Sequence, residues 1–344
     1  MKSVALVPSP DGHGYRAELS ETQEPSPGKG EIAVDMRACG LCGTDLEKMR
    51  GEYTASRGVI GHEAVGVVSA LGEGARDFRE GDRVFPHHHV PDYDCYVCRA
   101  GNETMCDRYR GSNLVPGGFS ERFVVPEWNL RKGGVLKLPD EMDFGVASLI
   151  EPLACCVRAI KKCDVGLGAN VLVVGAGPVG MMHSLMLKPI GANVMVSDVS
   201  PDRLRFAEKA GAGVVIDARG DVPGTVRSGT GGRGADLAIV ASGNSAAIVQ
   251  ALRSVRKGGT VCVFGVPVKG SVLGYDFSDV YNSEQSVTTS YGATEADTKA
   301  ALRVLASRGE EFARLITHRF PLARFSDAVS AASGGTAMKV VVTP

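Results

Sequence analysis

The pattern of apolar and polar positions changes character near residue 155. Before that point apolar residues come in short runs bounded by Gly, Pro or charge. These are Lys2 to Val7, broken by Pro8, then Ile32 to Met36, Ala64 to Val68 and Phe123 to Val125. Such runs predict strands. Helical periodicity is scarce, so this part reads as a β-rich domain. After residue 155 strands and helices alternate. Val171 to Val174 predicts a buried strand, Val179 to Leu187 a helix stopped by Lys188-Pro189, and Val194 to Asp198 the next strand. A helix over Arg203 to Ala210, a strand over Val214 to Ile216 and a strand over Leu237 to Val240 follow. Next come a helix over Ser245 to Val255 and a strand over Thr260 to Phe264. Repeated β-α-β units predict a doubly wound parallel sheet. Beyond it, Glu295 to Ser307 reads as a helix and Met338 to Val342 as a strand.

Composition narrows the class. A chain of 344 residues is long for one core, so two domains are expected. Hydrophobic residues make up 44% and charged residues 22%, an ordinary globular balance. A net charge of -1 argues against nucleic acid or an anionic membrane as the main partner. No signal peptide and no apolar stretch long enough to span a bilayer is visible. Nine cysteines, an odd number, fit reduced thiols in a cytoplasmic protein better than a disulfide framework. Cys155, Cys156, Cys163 and Cys262 read as buried small hydrophobes.

Chemistry enters with the glycines after the Val171 to Val174 run. Gly175-Ala176-Gly177-Pro178-Val179-Gly180 is a complete G-x-G-x-x-G opening a helix, the context in which it signals a dinucleotide. Gly175 allows the tight turn, Gly177 admits the pyrophosphate, and Gly180 lets helix and strand pack closely. Asp198, at the end of the next strand, is placed to accept hydrogen bonds from ribose hydroxyls and to repel a 2′-phosphate. NAD is therefore expected over NADP, with Arg203 and Arg205 leaving room for the latter.

Four other residues suit a metal. Cys42 stands in Cys-Gly-Thr-Asp, His62 and Glu63 in Gly-His-Glu, and Glu151 in Ile-Glu-Pro-Leu. A thiolate, an imidazole and a carboxylate form a ligand set that suits zinc, and three protein ligands with an open position mark a catalytic site. With the fingerprint, in this order, these motifs resemble the medium-chain, zinc-dependent alcohol and polyol dehydrogenases, nearly end to end. The resemblance implies a GroES-like catalytic domain, residues 1–154 completed by 294–344, and an inserted Rossmann domain, residues 155–293, with the chemistry in the cleft between them. It implies that Cys42 and His62 are zinc ligands and that Glu63 and Glu151 are carboxylates of the same site, either of which can be the direct ligand. Asp45 is expected to orient His62. Cys95, Cys98 and Cys106 match three of the four ligands of the family's structural zinc lobe, and Asp92 stands where the fourth thiolate would be. A carboxylate can ligate zinc there, more weakly than a thiolate. His87-His88-His89, just upstream, receives no role.

The resemblance further implies hydride transfer from an alcohol to a nicotinamide. Thr44 matches the family's hydroxyl relay. Glu47 stands where several relatives carry a relay histidine, and a carboxylate can take the proton instead. Val266 and Tyr291 lie in segments that resemble those flanking the nicotinamide. A homo-oligomer, dimer or tetramer, is expected. The substrate expected is a small polyol, sugar or secondary alcohol. The alternatives are a threonine-dehydrogenase-like oxidation of an amino alcohol, a zinc-free quinone reductase, and a dinucleotide-binding protein without turnover.

Overall fold

The structure, a computed structural model, describes residues 1–10, 12–52 and 60–344. It divides into two compact units, residues 1–154 with 293–344, and residues 155–292. Ala293 thus falls in the first unit rather than closing the second.

The first unit opens with β1 (Lys2–Pro8) and β2 (Tyr15–Glu21), an antiparallel pair. Next come β3 (Ile32–Leu41), α1 (Gly43–Met49), β4 (Glu63–Leu71), β5 (Arg83–Pro86), α2 (Tyr96–Arg99), β6 (Arg122–Val125), α3 (Glu127–Arg131), β7 (Val135–Lys137) and α4 (Phe144–Ala147). Helix α5 (Ile150–Cys163) leads out of it. The second unit holds β8 (Asn170–Val174), α6 (Pro178–Leu187), β9 (Asn193–Asp198), α7 (Pro201–Lys209), β10 (Val214–Asp217) and α8 (Val222–Gly229). It continues with β11 (Ala235–Val240), α9 (Ser245–Ser254), β12 (Val255–Val263), α10 (Phe277–Asn282) and β13 (Ser286–Thr289). The chain then returns to the first unit with α11 (Glu295–Ala313), β14 (Ile316–Pro321), α12 (Phe325–Ser333) and β15 (Lys339–Thr343).

In the first unit the strands β14-β15-β3-β4-β5-β7 form one sheet, with β6 also on β3. β3 is the spine, buried at nearly every position, and it runs five residues beyond the expected Met36 to reach Leu41. Its pairing with β4 shifts register twice, between Ala33 and Val34 and between Met36 and Ala38. Such bulges re-aim side chains, and β3 leads directly into Cys42. The core gathers Ile32, Val34, Met36, Phe123 and Val340, with Phe119 and Phe325 packed edge to face.

The second unit is a parallel sheet in the order β10-β9-β8-β11-β12-β13. Strand order reverses between β8 and β11, so the glycine turn after β8 opens at the topological switch point where such sheets bind ligands. Leu172, Val174, Met195, Ala238, Val240 and Val261 share one buried cluster with Ile248, Ala251 and Leu252 of α9. α6 ends at Leu187, and Lys188-Pro189 tightens into a short 3-10 turn.

Helices α1 to α5, α8, α10 and α12 lack a counterpart in the sequence pattern. In α5, Pro152 lies in the first turn, where its missing N–H leaves no intrahelical bond unmade. Cys156 and Cys262 are buried as expected, but Cys155 and Cys163 are only half-buried.

Candidate metal and dinucleotide sites

Cys42 is the residue between β3 and α1 and caps that helix. One buried carboxylate organises its surroundings. Asp45 Oδ2 accepts from the Cys42 backbone N–H at 3.2 Å, and Asp45 Oδ1 accepts from the Gly61 N–H at 3.2 Å. The same Oδ1 lies 3.4 Å from His62 Nδ1, which leaves Nε2 as the free ligating nitrogen. Asp45 therefore ties two chain segments to one imidazole. Burial alone would raise its pKa; His62, Lys48 and the Gly61 N–H outweigh that and lower it. For His62, burial pulls the pKa down, and Asp45 and then Cys42 push it well above the ordinary value. The Cys42 thiol is 3.6 Å from Thr44 Oγ1.

Glu63 opens β4 and is fully buried. Its Oε1 accepts from Lys339 Nζ at 2.6 Å, and Oε2 is also in contact with that ammonium. Lys339 Nζ donates as well to Leu41 O at 3.1 Å. Space for the pair comes from Gly40, which faces Glu63 across the ladder. A Cβ on Gly40 would lie 1.9 Å from Glu63 Oε2 and 2.9 Å from Lys339 Cε. Burial raises the Glu63 pKa, with Lys339 and His62 opposing and the nearby Glu151 adding to the rise. Lys339 is the functional residue that sequence reasoning overlooked. A lone lysine in the run Met338 to Val342 was the available signal, because a buried ammonium demands a partner.

Donor atoms from Cys42, His62 and Glu63 all lie within 4.8 Å of one another. Zinc bonds of about 2.0–2.3 Å put tetrahedral donors roughly 3.5 Å apart, so the set fits that ion after small adjustments. Glu151, in the first turn of α5, is buried close enough to Glu63 to act on its charge, but it stands outside that donor cluster. His88 borders the site, its ring centroid 5.0 Å from that of His62, and its Nδ1 has no partner among the described residues. Burial, and then electrostatic interaction with the neighbouring His89 and His62 rings, holds it well below the ordinary histidine pKa. His87 is fixed by Glu295, Nδ1 to Oε1 at 2.7 Å. Glu47, half-buried on α1, has its pKa raised by burial and then by Glu52.

A second cluster brings together Asp92, Cys95, Cys98 and Cys106, again within 4.8 Å. Asp92 Oδ1 accepts from the backbone N–H groups of Cys95 at 2.9 Å and Asp94 at 2.8 Å, the first of which does most to keep its carboxyl ionised. Burial, then hydrogen bonding with Cys95 and Asp92, raises the Cys98 thiol. Four convergent donors in a closed set fit a structural metal.

Two family models match the chain, one described as the alcohol dehydrogenase GroES-like domain over residues 28–140 and one as zinc-binding dehydrogenase over residues 178–307. A sorbitol dehydrogenase of Halalkalibacterium halodurans is 31% identical over 345 residues, covering 99% of each chain. The chain belongs to the zinc-dependent medium-chain alcohol and polyol dehydrogenases. An L-threonine 3-dehydrogenase of Saccharopolyspora erythraea is also 31% identical, over 98% of each chain. Among solved structures, a protein of Sinorhizobium meliloti described as a zinc-binding dehydrogenase bound to NADP superposes with a TM-score of 0.89. It shares 27% identity, over 100% of this chain and 99% of that one.

The dehydrogenase's glycine fingerprint lies in the second unit. A Cβ on Gly180 would stand 1.8 Å from Gly175 O, so only glycine permits this approach of helix to turn. Gly177 caps α6, Pro178 is its first residue, and Val179 follows. Asp198 closes β9. Its Oδ2 accepts from the Ala176 N–H at 2.7 Å and its Oδ1 from the Ser200 N–H at 2.8 Å, which locks the carboxylate against the glycine turn. Arg203 Nη1 stands 4.0 Å from Asp198 Oδ2 and 3.7 Å from where a Gly177 Cβ would be. Val266 is exposed, and Tyr291 lies near the end of this unit, half-buried. Among the described residues no helix is long and apolar enough to cross a membrane.

Proposed function

We propose that this dehydrogenase oxidises a small polyol or sugar with NAD as hydride acceptor, at a zinc held by Cys42, His62 and a carboxylate from Glu63 or Glu151. The gathering of Cys42, His62 and Glu63 around one point, with Asp45 and Lys339 holding two of them from behind, is the observation that carries this reading. Zinc, when bound, would polarise the alcohol oxygen and ease loss of its proton. The chain's own residues do the rest. Asp45 fixes the His62 tautomer, and Lys339 compensates Glu63. Thr44, beside the Cys42 thiol, and Glu47, on the same helix, supply a route for the proton. Neutral His88, whose Nδ1 has no partner among the described residues, can donate a hydrogen bond to, or accept one from, a hydroxyl beside the reacting carbon. In the second unit Gly175, Gly177, Gly180 and the α6 N-terminus would cradle the pyrophosphate. Asp198 would accept from the ribose hydroxyls, and its charge opposes a 2′-phosphate. The Asp92, Cys95, Cys98 and Cys106 cluster would hold a second, structural zinc.

A second reading is oxidation of an amino alcohol such as L-threonine, favoured by a threonine-dehydrogenase relative as similar as the sorbitol-dehydrogenase one. Reduction of NAD and NADP followed at ~340 nm with a panel of polyols, aldoses, diols, ethanol and L-threonine decides it. Preference for polyols or sugars supports the first reading. Preference for L-threonine establishes the second, and turnover undiminished in protein free of zinc defeats both.

A further inference from the structure

A cavity of about 520 Å³ opens in the second unit between the last turns of α8 and α9, the start of β12 and helix α10. That is the volume of a small-molecule site. The parallel strands place it at the other end of the sheet from the glycine turn. Val255, at the start of β12, pairs with Ala235, the first residue of β11. Ala241, just past the end of β11, donates its N–H to Val174 O, beside Gly175. The steps from Ala235 to Ala241 span roughly 20 Å of strand.

Five cations line this cavity: Arg227, Arg233, Arg253, Arg256 and Lys257. Asp221 and Asp279 line it too, so the wall carries a positive excess in a protein whose net charge is -1. Arg256 is neutralised by Asp236, Nε to Oδ1 at 2.6 Å. Asp221 Oδ1 is engaged by the Gly224 N–H of α8 at 2.9 Å. Arg227, Arg233, Arg253 and Lys257 have no carboxylate partner among the described residues. Arg227 Nη1 donates to Arg253 O at 3.3 Å and Arg233 Nε to Thr230 O at 3.0 Å. The Arg253 guanidinium lies over Tyr275, 5.9 Å from the ring centroid. These contacts orient the cations without cancelling their charge. Helix C-termini attract cations on their own, and that accounts for Arg227 and Arg253 in the last turns of α8 and α9. It does not account for Arg233, in the loop after α8, or for Lys257 on β12.

One more atom in the wall is unsatisfied. Gln285 Nε2 donates to Leu252 O at 3.1 Å, but its Oε1 is buried with no hydrogen-bond partner among the described residues. A buried acceptor beside uncancelled cations calls for a ligand that carries both negative charge and a donor.

We infer that this cavity binds a small phosphate ester with free hydroxyl groups, at a site that shares no residue with the dinucleotide or metal sites. Arginine forks match phosphate oxygens, and four uncancelled cations exceed what one carboxylate would compensate. A ligand hydroxyl would donate to Gln285 Oε1, and Tyr275 offers its ring to the carbon skeleton.

The test is calorimetric titration of the zinc-loaded enzyme at about 0.15 M ionic strength, with the cofactor site filled by NADH so that nothing is oxidised. The probes are glucose 6-phosphate, inorganic phosphate and citrate. Glucose 6-phosphate should bind with a stoichiometry of about one, and inorganic phosphate should compete with it. Arg253→Gln combined with Lys257→Gln, both at exposed positions, should weaken the ester about tenfold or more, while NAD affinity and turnover stay as in the wild type. Arg253→Lys, which keeps the charge and loses the fork, should fall between. Gln285→Leu should weaken the ester and leave inorganic phosphate unchanged. Failure of the ester to bind, weaker binding than citrate, displacement of NADH, or an affinity that survives in the double variant would overturn the inference.

Discussion

His183 offers a prediction whose size follows from the structure. It lies on α6, fully buried, with neither ring nitrogen hydrogen-bonded among the described residues. Its ring meets Phe264 edge to face, with centroids 4.7 Å apart. Burial pulls its pKa from 6.5 down to about 3. The folded protein therefore keeps this imidazole neutral while the unfolded chain takes up a proton below pH 6.5. Stability is lost as pH falls through that unfolded value. At about pH 5.5 the unfolded state gains RT ln(1 + 10), about 1.4 kcal/mol, against less than ~0.1 kcal/mol at about pH 7.5. The folded value hardly enters, because it lies far below both conditions. Replacing His183 by leucine, similar in volume, removes the proton and two unsatisfied polar atoms, each worth ~1–3 kcal/mol, and forfeits an edge contact of ~0.5–1.5 kcal/mol. The variant should be more stable by about 0.5–5.5 kcal/mol at neutral pH, with its advantage about 1.4 kcal/mol larger at the acidic condition. Urea-dependent hydrogen exchange of β8 amides reports on this unit at both pH values. An advantage that does not change with pH would refute the neutral, partnerless histidine, and a loss of stability at both would show that the imidazole has a partner.

Cys42→Ala should lower zinc content by one ion per chain and abolish turnover while NAD still binds, measured by elemental analysis and calorimetry. Lys339→Met leaves the buried Glu63 uncompensated and should cost about 3–5 kcal/mol, read as a lower urea midpoint; Lys339→Arg should recover part of it. Glu47→Gln should remove an acid limb from the pH–rate profile that lies above the ordinary glutamate range, because the raised Glu47 must be ionised to take the proton. Asp198→Asn should narrow the ratio of NAD to NADP efficiency, and a wild-type preference for NADP would reverse the cofactor reading.

The parts of this molecule that could be read from sequence are those with local causes. The β-α alternation after residue 155 and the Gly175 to Gly180 turn depend on neighbours a few residues away, and the parallel sheet follows from them. Cys42, His62 and Glu63 could be gathered only through a family resemblance, because nothing between residues 42 and 62 measures their separation in space. Lys339 stayed hidden for the same reason. Its partner is 276 residues earlier in the chain. His88 sits beside His62 because β5 runs next to β4 in the sheet, a fact of topology that the triple histidine does not encode. Helix α5 carries Pro152 in its first turn, where proline is no obstacle to a helix.

The pairing of β15 with β3 sets an order on biosynthesis. Val340 lies opposite Leu41, so the sheet that presents Cys42 cannot close until residue 343 has emerged from the ribosome. The second unit needs nothing beyond residue 292 and can fold while the remainder is still being made. During that interval Glu63 has neither its ammonium partner nor its covering strand, and the exposed edge of β3 is open to any other extended segment. Premature termination before Lys339 would therefore leave a well-folded second unit joined to an aggregation-prone partial sheet, and a bulky fusion placed after residue 344 would burden the last strand to dock.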